Sequence, residues 1–135
     1  MAIELIVVTP QGEALCEEIE QVVLPGEAGD FGVLESHERF LTPLQHGPMQ
    51  IIRTSGTEWA ALSSGFADVD GSRVVVLVDS CLLASGIDRV ASESRRVKAN
   101  DELASLADVD ENARERARLA AIVSRAEIEL DVVAR

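Results

Sequence analysis

The 135-residue sequence predicts an α+β protein, with an antiparallel β-sandwich or barrel over residues 1–86 and two helices over residues 87–135. Short β-branched runs separated by frequent Gly and Pro turns indicate strands before residue 86. From Ile87 onwards the chain has no Gly and no Pro, which favours helix. The balance of charged residues also changes there. Residues 1–86 hold three basic and 13 acidic residues, whereas residues 87–135 hold nine basic and 11 acidic residues. We therefore expect two domains, 1–86 and 87–135.

The predicted strands follow from apolar runs bounded by turn residues. Single strands are expected at residues 3–9, 15–24, 31–34 and 40–44, with residues 35–39 as a loop and Pro25 as the end of the second strand. Two hairpins are expected further on. Their turns lie at Ser55-Gly56-Thr57 and Asp70-Gly71-Ser72, each flanked by apolar runs of strand length.

The helical part predicts a hairpin of two amphipathic helices with a bend at residues 106–111. Asp88 and Asn112 have side chains that favour helix N-termini. The second helix has one apolar side, formed by Leu119, Ile122, Val123, Ala126, Leu130 and Val133, and Glu129 is expected on the opposite, polar side. The first helix has a narrower stripe, formed by Val90, Val97, Leu103 and Ala104. Such narrow stripes predict a weak and movable attachment.

Composition limits the classes of partner. The formal net charge of −12 argues against binding to nucleic acid or insertion into an anionic lipid surface. The start of the chain has no basic segment ahead of an apolar one, so no signal peptide is expected. The apolar runs are all far shorter than the ~20 residues that span a bilayer. A soluble protein of the cytoplasm is the expectation.

Catalytic and metal chemistry find little support in the sequence. Only two histidines are present, His37 and His46, and their spacing follows no ligand pattern. Cys16 and Cys81 lie among apolar residues and outside any motif that would activate a thiol. Asp68-Val69-Asp70-Gly71 lacks the later ligands of a calcium loop. We expect no catalytic residue, no metal and no cofactor.

The stretch Pro25-Gly26-Glu27-Ala28-Gly29-Asp30-Phe31-Gly32-Val33-Leu34 is the most closely specified part of the chain. Its glycines and proline indicate a turn of defined shape. It lacks the Lys-Ser/Thr ending of a phosphate-binding loop, and Glu27 and Asp30 would repel a phosphate. An acidic turn of this kind suits contact with a polar or basic protein partner.

This stretch, followed by His37 and by Leu44 and Gly47, resembles the signature of the epsilon subunit of bacterial F-type ATP synthases. The chloroplast counterpart has the same name, and the mitochondrial counterpart is called delta. Ser64-Gly65-Phe66-Ala67-Asp68-Val69 is similar to a second stretch of the family. The run Val74–Asp79 resembles the family's last long strand, and Ile87-Asp88 matches the start of its first helix. The resemblance covers nearly the whole chain in the family's order.

The resemblance implies a ten-stranded antiparallel β-sandwich followed by an antiparallel two-helix hairpin. It implies a noncatalytic rotor subunit of the central stalk, in which the sandwich binds the gamma subunit and rests on the polar loops of the c-ring. Glu27, Asp30, Phe31 and His37 are the implied partner-contact residues, with Asp30 at the c-ring and His37 near gamma. The hairpin would be regulatory and reach the catalytic alpha/beta head. The implied location is peripheral, at the cytoplasmic face of the bacterial inner membrane.

Some family members bind ATP through an Ile-Asp-x-x-Arg-Ala motif at the first helix. Here Ile87 and Asp88 match, but Ala91 stands in the place of the arginine, so the motif is degenerate. The sequence also departs from the family at residues 35, 36, 38 and 39, around His37. A stand-alone nucleotide-binding regulator of the same architecture is the alternative hypothesis. A hydrolytic or carbohydrate-binding sandwich has less support, because Trp59 is the single tryptophan and tyrosine is absent.

Overall fold

The computed structural model describes residues 2–34 and 37–135, except for the side chains of residues 37 and 38. Within these residues ten β-strands precede two α-helices, which confirms the predicted fold class. The strands are β1 Ile3–Thr9, β2 Gly12–Ile19, β3 Gln21–Gly26, β4 Gly29–Val33, β5 His37–Leu44, β6 Gly47–Arg53, β7 Gly56–Leu62, β8 Gly65–Gly71, β9 Arg73–Val78 and β10 Cys81–Leu83. The helices are α1 Arg89–Ser105 and α2 Ala113–Ala134.

The strands form one continuous hydrogen-bonded path that folds over into a sandwich. Its order is β10-β7-β6-β3-β5-β8-β9-β1-β2, and β4 pairs with β3 off this path. The described pairs are antiparallel except β1 with β9, which is parallel. These two strands are far apart in sequence, so no tight turn requires them to be antiparallel.

The core lies between the two layers of the sandwich. Alternate residues of the strands point inward, as the burial of Ile3, Leu5 and Val7 along β1 illustrates. The largest fully buried side chains of the sandwich are Ile3, Leu5, Leu24, Leu44, Met49, Ile51 and Leu62. The connected apolar core contains only residues that precede the helices.

Both predicted hairpins are confirmed, β6 with β7 and β8 with β9. The single strand expected over residues 15–24 was wrong, because the chain changes direction at Glu20. β2 before it pairs with β1, and β3 after it pairs with β6. Glu20 and Gln21 are polar, but neither Gly nor Pro marks the boundary, so the pattern of turn residues hides it.

Two further strand boundaries differ from the prediction. β3 continues through Pro25 to Gly26, since the Pro25 carbonyl oxygen still accepts a hydrogen bond from the Gln45 amide at 2.9 Å. Residues 37–39 belong to β5 and not to a loop, because His37 pairs with Gly71 through the backbone. The other residues of the expected loop, 35 and 36, lie outside the described residues.

The helices begin near the expected residues. Asp88 is the N-cap of α1, and its Oδ1 accepts a hydrogen bond from the Ala91 amide at 3.2 Å. Asn112 occupies the N-cap position of α2, but its side chain donates instead to the Ala107 carbonyl at 3.0 Å. Arg116 of α2 donates a hydrogen bond to the carbonyl of Leu106, the C-cap residue of α1, at 2.8 Å. The side chain thus helps to cap the C-terminus of α1.

The predicted faces of the helices are only partly correct. On α1 the valines of the expected stripe face solvent, with Val90 79% and Val97 43% exposed. Ser92 and Ala99 are buried against α2 instead, because their small side chains let the helices approach closely. The expectation for Glu129 was also wrong: it is 3% exposed, and its charge is paired with Arg95.

Candidate partner interface

The acidic stretch forms a tight hairpin at one end of the sandwich. β3 and β4 pair from Val22–Val33 to Gly26–Gly29, which leaves Glu27 and Ala28 as the turn. Gly29 has φ +128°, a backbone conformation that favours glycine. The turn is fastened to β5 by the hydrogen bond from the Glu27 amide to the Pro43 carbonyl at 3.3 Å. The local sequence therefore produces a turn whose position on the sandwich is well defined.

The carboxylates of this hairpin face solvent, whereas its aromatic ring faces inward. Glu27 and Asp30 are exposed. Phe31 is half-buried, and its ring meets the Phe40 ring edge-on with 5.6 Å between the centroids. Phe31 thus packs the hairpin against the core of the sandwich, while the two acidic side chains present negative charge to solvent.

His37 does not lie beside the acidic turn. Its backbone pairs with Gly71 at the start of β5, whereas Leu44 at the other end of β5 pairs with Gly26. These ends are separated by roughly 20 Å at ~3.3 Å per residue. The His37 side chain itself lies outside the described residues. The expected contact residues are therefore divided between two ends of one strand.

A row of apolar side chains crosses the outer surface of the sandwich, and the sequence interpretation missed it. The cross-strand partners are Val8 with Leu77, Leu77 with Phe66, and Phe66 with Pro43, on four neighbouring strands. Phe66 is 52% and Leu77 47% exposed. Leu41, two residues before Pro43 on β5, is 67% exposed on the same face. We call Val8, Leu77, Phe66, Pro43 and Leu41 the outer apolar row.

Strands β8 and β9 approach each other closely beside the row. A Cβ atom on Gly65 would lie 1.9 Å from the Leu77 carbonyl oxygen, so only glycine fits beside Phe66. The signal for this face was the uninterrupted run Val74–Val78. A near-continuous apolar run is typical of a strand that is buried on both faces, whereas a strand with one solvated face alternates polar and apolar residues.

A groove joins the outer apolar row to the acidic turn. Its volume is about 570 Å³, and its lining includes Phe66, Leu77 and Pro43 of the row together with the acidic residues Glu27 and Asp79. The two features therefore belong to one continuous surface at this end of the sandwich. Large exposed apolar groups rimmed by charge are typical of protein interfaces.

The helices enclose a second groove, which is basic. It has a volume of about 870 Å³ and lies between the helices and the sandwich residues His46, Ser80 and Leu82. Its cationic lining residues are Arg95, Lys98, Arg118 and Arg125. Two of these cations are already paired. Arg95 Nη2 donates to Glu129 Oε1 at 2.9 Å, and Arg118 Nη2 donates to Glu115 Oε1 at 2.6 Å. Ile87 and Asp88 lie at the start of α1 and act there as the helix boundary.

The thiols have the chemistry of structural cysteines. Burial and the nearby Glu58 raise the pKa of Cys81 from 9.0 to about 11. A hydrogen bond with Glu13 also raises the pKa of Cys16. A raised pKa keeps a thiol protonated at neutral pH, which is unfavourable for a nucleophile. Among the described residues no group of carboxylates, cysteines and histidines has the geometry of a metal site.

The sequence profile of the family "ATP synthase, Delta/Epsilon chain, beta-sandwich domain" matches residues 2–84, which is more than half of the chain. The chain belongs to this family. The ATP synthase epsilon chain of Bacillus subtilis is 35% identical over 102 residues, which cover 76% of this chain and 77% of the relative. ATP synthase epsilon chain 2 of Syntrophotalea carbinolica is 31% identical over 133 residues, covering 98% and 94%.

The fold of the chain, including both helices, is also found in a solved structure. A chain in the mitochondrial ATP synthase of Euglena gracilis matches 98% of this chain and 78% of its own length, with a TM-score of 0.68 and 20% identity. At that identity the match supports the fold alone. Neither α1 nor α2, the helices of the described residues, is both long and apolar enough to cross a membrane.

Proposed function

We propose that this epsilon-family chain is a noncatalytic rotor subunit in the central stalk of a proton-translocating F-type ATP synthase. In this role it transmits rotation of the c-ring through gamma to the catalytic head, where ATP is made. Residues 1–86 would form the gamma- and c-ring-binding domain, and residues 87–135 a separate regulatory domain. The complex would hold the subunit at the cytoplasmic face of the bacterial inner membrane, without direct insertion into lipid.

The outer apolar row is the observation that carries this proposal. Phe66, Leu77 and Leu41 expose about half or more of their surface on a rigid sheet, an arrangement that costs free energy unless a partner covers it. We propose gamma as this partner, as the resemblance to epsilon subunits implies. An exposed aromatic side chain at the centre of such a row is the usual anchor of an interface.

The acidic turn supports the second contact, with the c-ring. Glu27 and Asp30 are exposed on the β3–β4 hairpin, and Glu27 lines the groove together with residues of the outer apolar row. Polar c-ring loops with basic residues would be attracted by them, and by the net charge of −12 of the chain. His37, at the other end of β5, is proposed to lie near gamma, and Phe31 to hold the turn in shape.

The test is binding to gamma from the same organism. Phe66→Glu should weaken capture of gamma by tagged chain by roughly thirtyfold, the effect of losing a buried aromatic anchor. Val90→Glu is the matched control, because Val90 is an exposed apolar residue on α1. If unaltered chain failed to capture gamma, the proposed function would be wrong. Equal binding by both variants would remove the outer apolar row from the interface.

A stand-alone nucleotide-binding regulator is the second candidate function. The basic groove with Lys98 and Arg125 favours it, since phosphates bind clustered cations, although the third cation, Arg118, is already paired with Glu115. Two observations oppose it: Ala91 cannot pair with a phosphate, and Glu129 already neutralises Arg95. We expect calorimetry to detect no saturable binding of ATP at millimolar concentration. Saturable binding together with failure to capture gamma would favour this second candidate.

A further inference from the structure

The helical hairpin is attached to the sandwich unevenly. α1 packs on α2, and α2 packs on β6, β7 and the turn at Ala84–Gly86. The basic groove of about 870 Å³ separates α1 from the sandwich residues His46, Ser80 and Leu82. The hairpin is therefore fastened along α2 and stands away from the sandwich along α1.

The last turns of α2 make the closest approach to the sandwich. Arg125, Ile128 and Glu129 meet His46 and Leu62 around a cavity of only about 10 Å³, too small for more than one water molecule. Val132, one turn later, is fully buried. The last turns of α2 are therefore packed closely on the sandwich.

The final contact is between a cation and an aromatic ring. The guanidinium carbon of Arg135 lies 4.3 Å from the centre of the Trp59 ring on β7. Asp131, four residues earlier, accepts hydrogen bonds from Arg135 Nε and Nη2 at 3.2 Å, which holds the guanidinium in place. A cation at this distance from the face of a tryptophan is attracted by the ring electrons.

We propose that Arg135, held by Asp131 over Trp59, is a latch that keeps the hairpin docked on the sandwich. Opening the latch releases the hairpin while the sandwich stays folded, because the connected apolar core contains no residue of either helix. The inference deepens the proposed regulatory role of the hairpin and rests on it for its biological purpose. The latch adds to the packing of α2 on β6 and β7.

Trp59 provides the measurement, since it is the single tryptophan of the chain. In a Cys16→Ser, Cys81→Ala background, an acceptor dye is attached after Asn100→Cys, at an exposed position of α1. The Trp59 lifetime with and without the dye gives the transfer efficiency, so a change in tryptophan brightness cancels. Transfer and β-sheet circular dichroism are followed through one urea titration of the isolated chain.

Arg135→Met should raise the ratio of released to docked hairpin by about two- to thirtyfold, the strength of a cation–π contact. Transfer should then be lost at lower urea, whereas the β-sheet signal should disappear at the same urea as before. Arg114→Met is the matched control, an exposed arginine at the other end of α2. An unchanged transfer midpoint in Arg135→Met would overturn the latch, and so would an equal decrease in both variants. Neither outcome bears on gamma binding, because the outer apolar row is unaltered.

Discussion

Glu129 and Asp30 are both carboxylates, but their surroundings give them different roles. Glu129 is buried between the helices, where Arg95 and the Ser92 hydroxyl, at 3.4 Å, balance its charge. Asp30 is exposed on the β3–β4 hairpin. Helical periodicity wrongly placed Glu129 on the solvent-facing side, because an ion pair between two helices leaves no trace in the spacing of one helix, whereas Asp30 was predicted from its glycine-rich acidic turn. Burial of a charge depends on the partner, which only the fold supplies.

Asp30→Arg should weaken the coupling of rotation to ATP synthesis and leave the fold intact. The change reverses a charge that is proposed to face basic c-ring loops, so attraction becomes repulsion. The measurement is proton-driven ATP synthesis by membrane vesicles with the variant subunit, beside a urea titration of the isolated chain.

Glu18→Arg is the control for Asp30→Arg. Glu18 is also exposed. It lies on β2 opposite Glu4 in the strand register, and Glu4 is at the end of β1 away from the groove. The same change in net charge should there leave synthesis unaffected. Unimpaired synthesis by Asp30→Arg would mean that the acidic turn is scaffold only.

Individual strands and hairpins show which boundaries the local sequence can predict. The β6–β7 and β8–β9 hairpins were predicted because Gly56, with φ +139°, and Gly71, with φ +60°, mark their turns in the sequence itself. The change of direction at Glu20, between β2 and β3, was missed because neither Gly nor Pro marks it. Pairing partners far apart in sequence decide that boundary, as does the parallel pairing of β1 with β9.

A charged bridge ties β6 to two other strands. Arg53 of β6 donates from Nε to Glu17 of β2 at 2.9 Å, and its Nη1 lies 2.9 Å from Glu58 of β7. The hydrogen bond to Glu17 is the main cause that raises the pKa of the guanidinium, and burial opposes it. The Arg53 side chain is 24% exposed, so solvent weakens these interactions only in part.

Arg53→Met should lower the free energy of unfolding by about 1–3 kcal/mol, because two carboxylates lose their shared counter-ion. Arg73→Met is the comparison, since the Arg73–Glu4 pair is largely exposed and should contribute only about 0–1 kcal/mol. Urea denaturation followed by circular dichroism gives both values. A loss for Arg53→Met no larger than that for Arg73→Met would mean that the bridge does not hold the strands together.

At the scale of the whole molecule, the core and the proposed binding surface both lie in the sandwich. The connected core runs from Ile3 to Val78, and the outer apolar row also lies within this part. The helices add buried residues of their own, such as Leu119 and Ala126, but these lie outside that core. The hairpin is an addition to a sandwich that carries its own hydrophobic stabilisation.

Deletion of residues 87–135 should therefore leave a folded sandwich that still captures gamma. Circular dichroism should keep its β-sheet signal, and capture of gamma should match that of the full chain. Trp59 emission should shift to longer wavelength, because its contact with Arg135 is lost. Loss of the β-sheet signal on truncation would contradict the proposed division at residues 86 and 87.

The sequence by itself determined the fold class, the positions of the tight turns, the N-cap at Asp88 and the acidic hairpin around Asp30. These are local properties, because glycine conformation, capping and apolar periodicity act over a few residues. Tertiary structure alone decided that Phe66 and Leu77 form one row with Pro43, that Glu129 is buried, and that Arg135 meets Trp59. Each of these joins residues distant in the chain, and their contact free energy exists only once the strands and helices have packed.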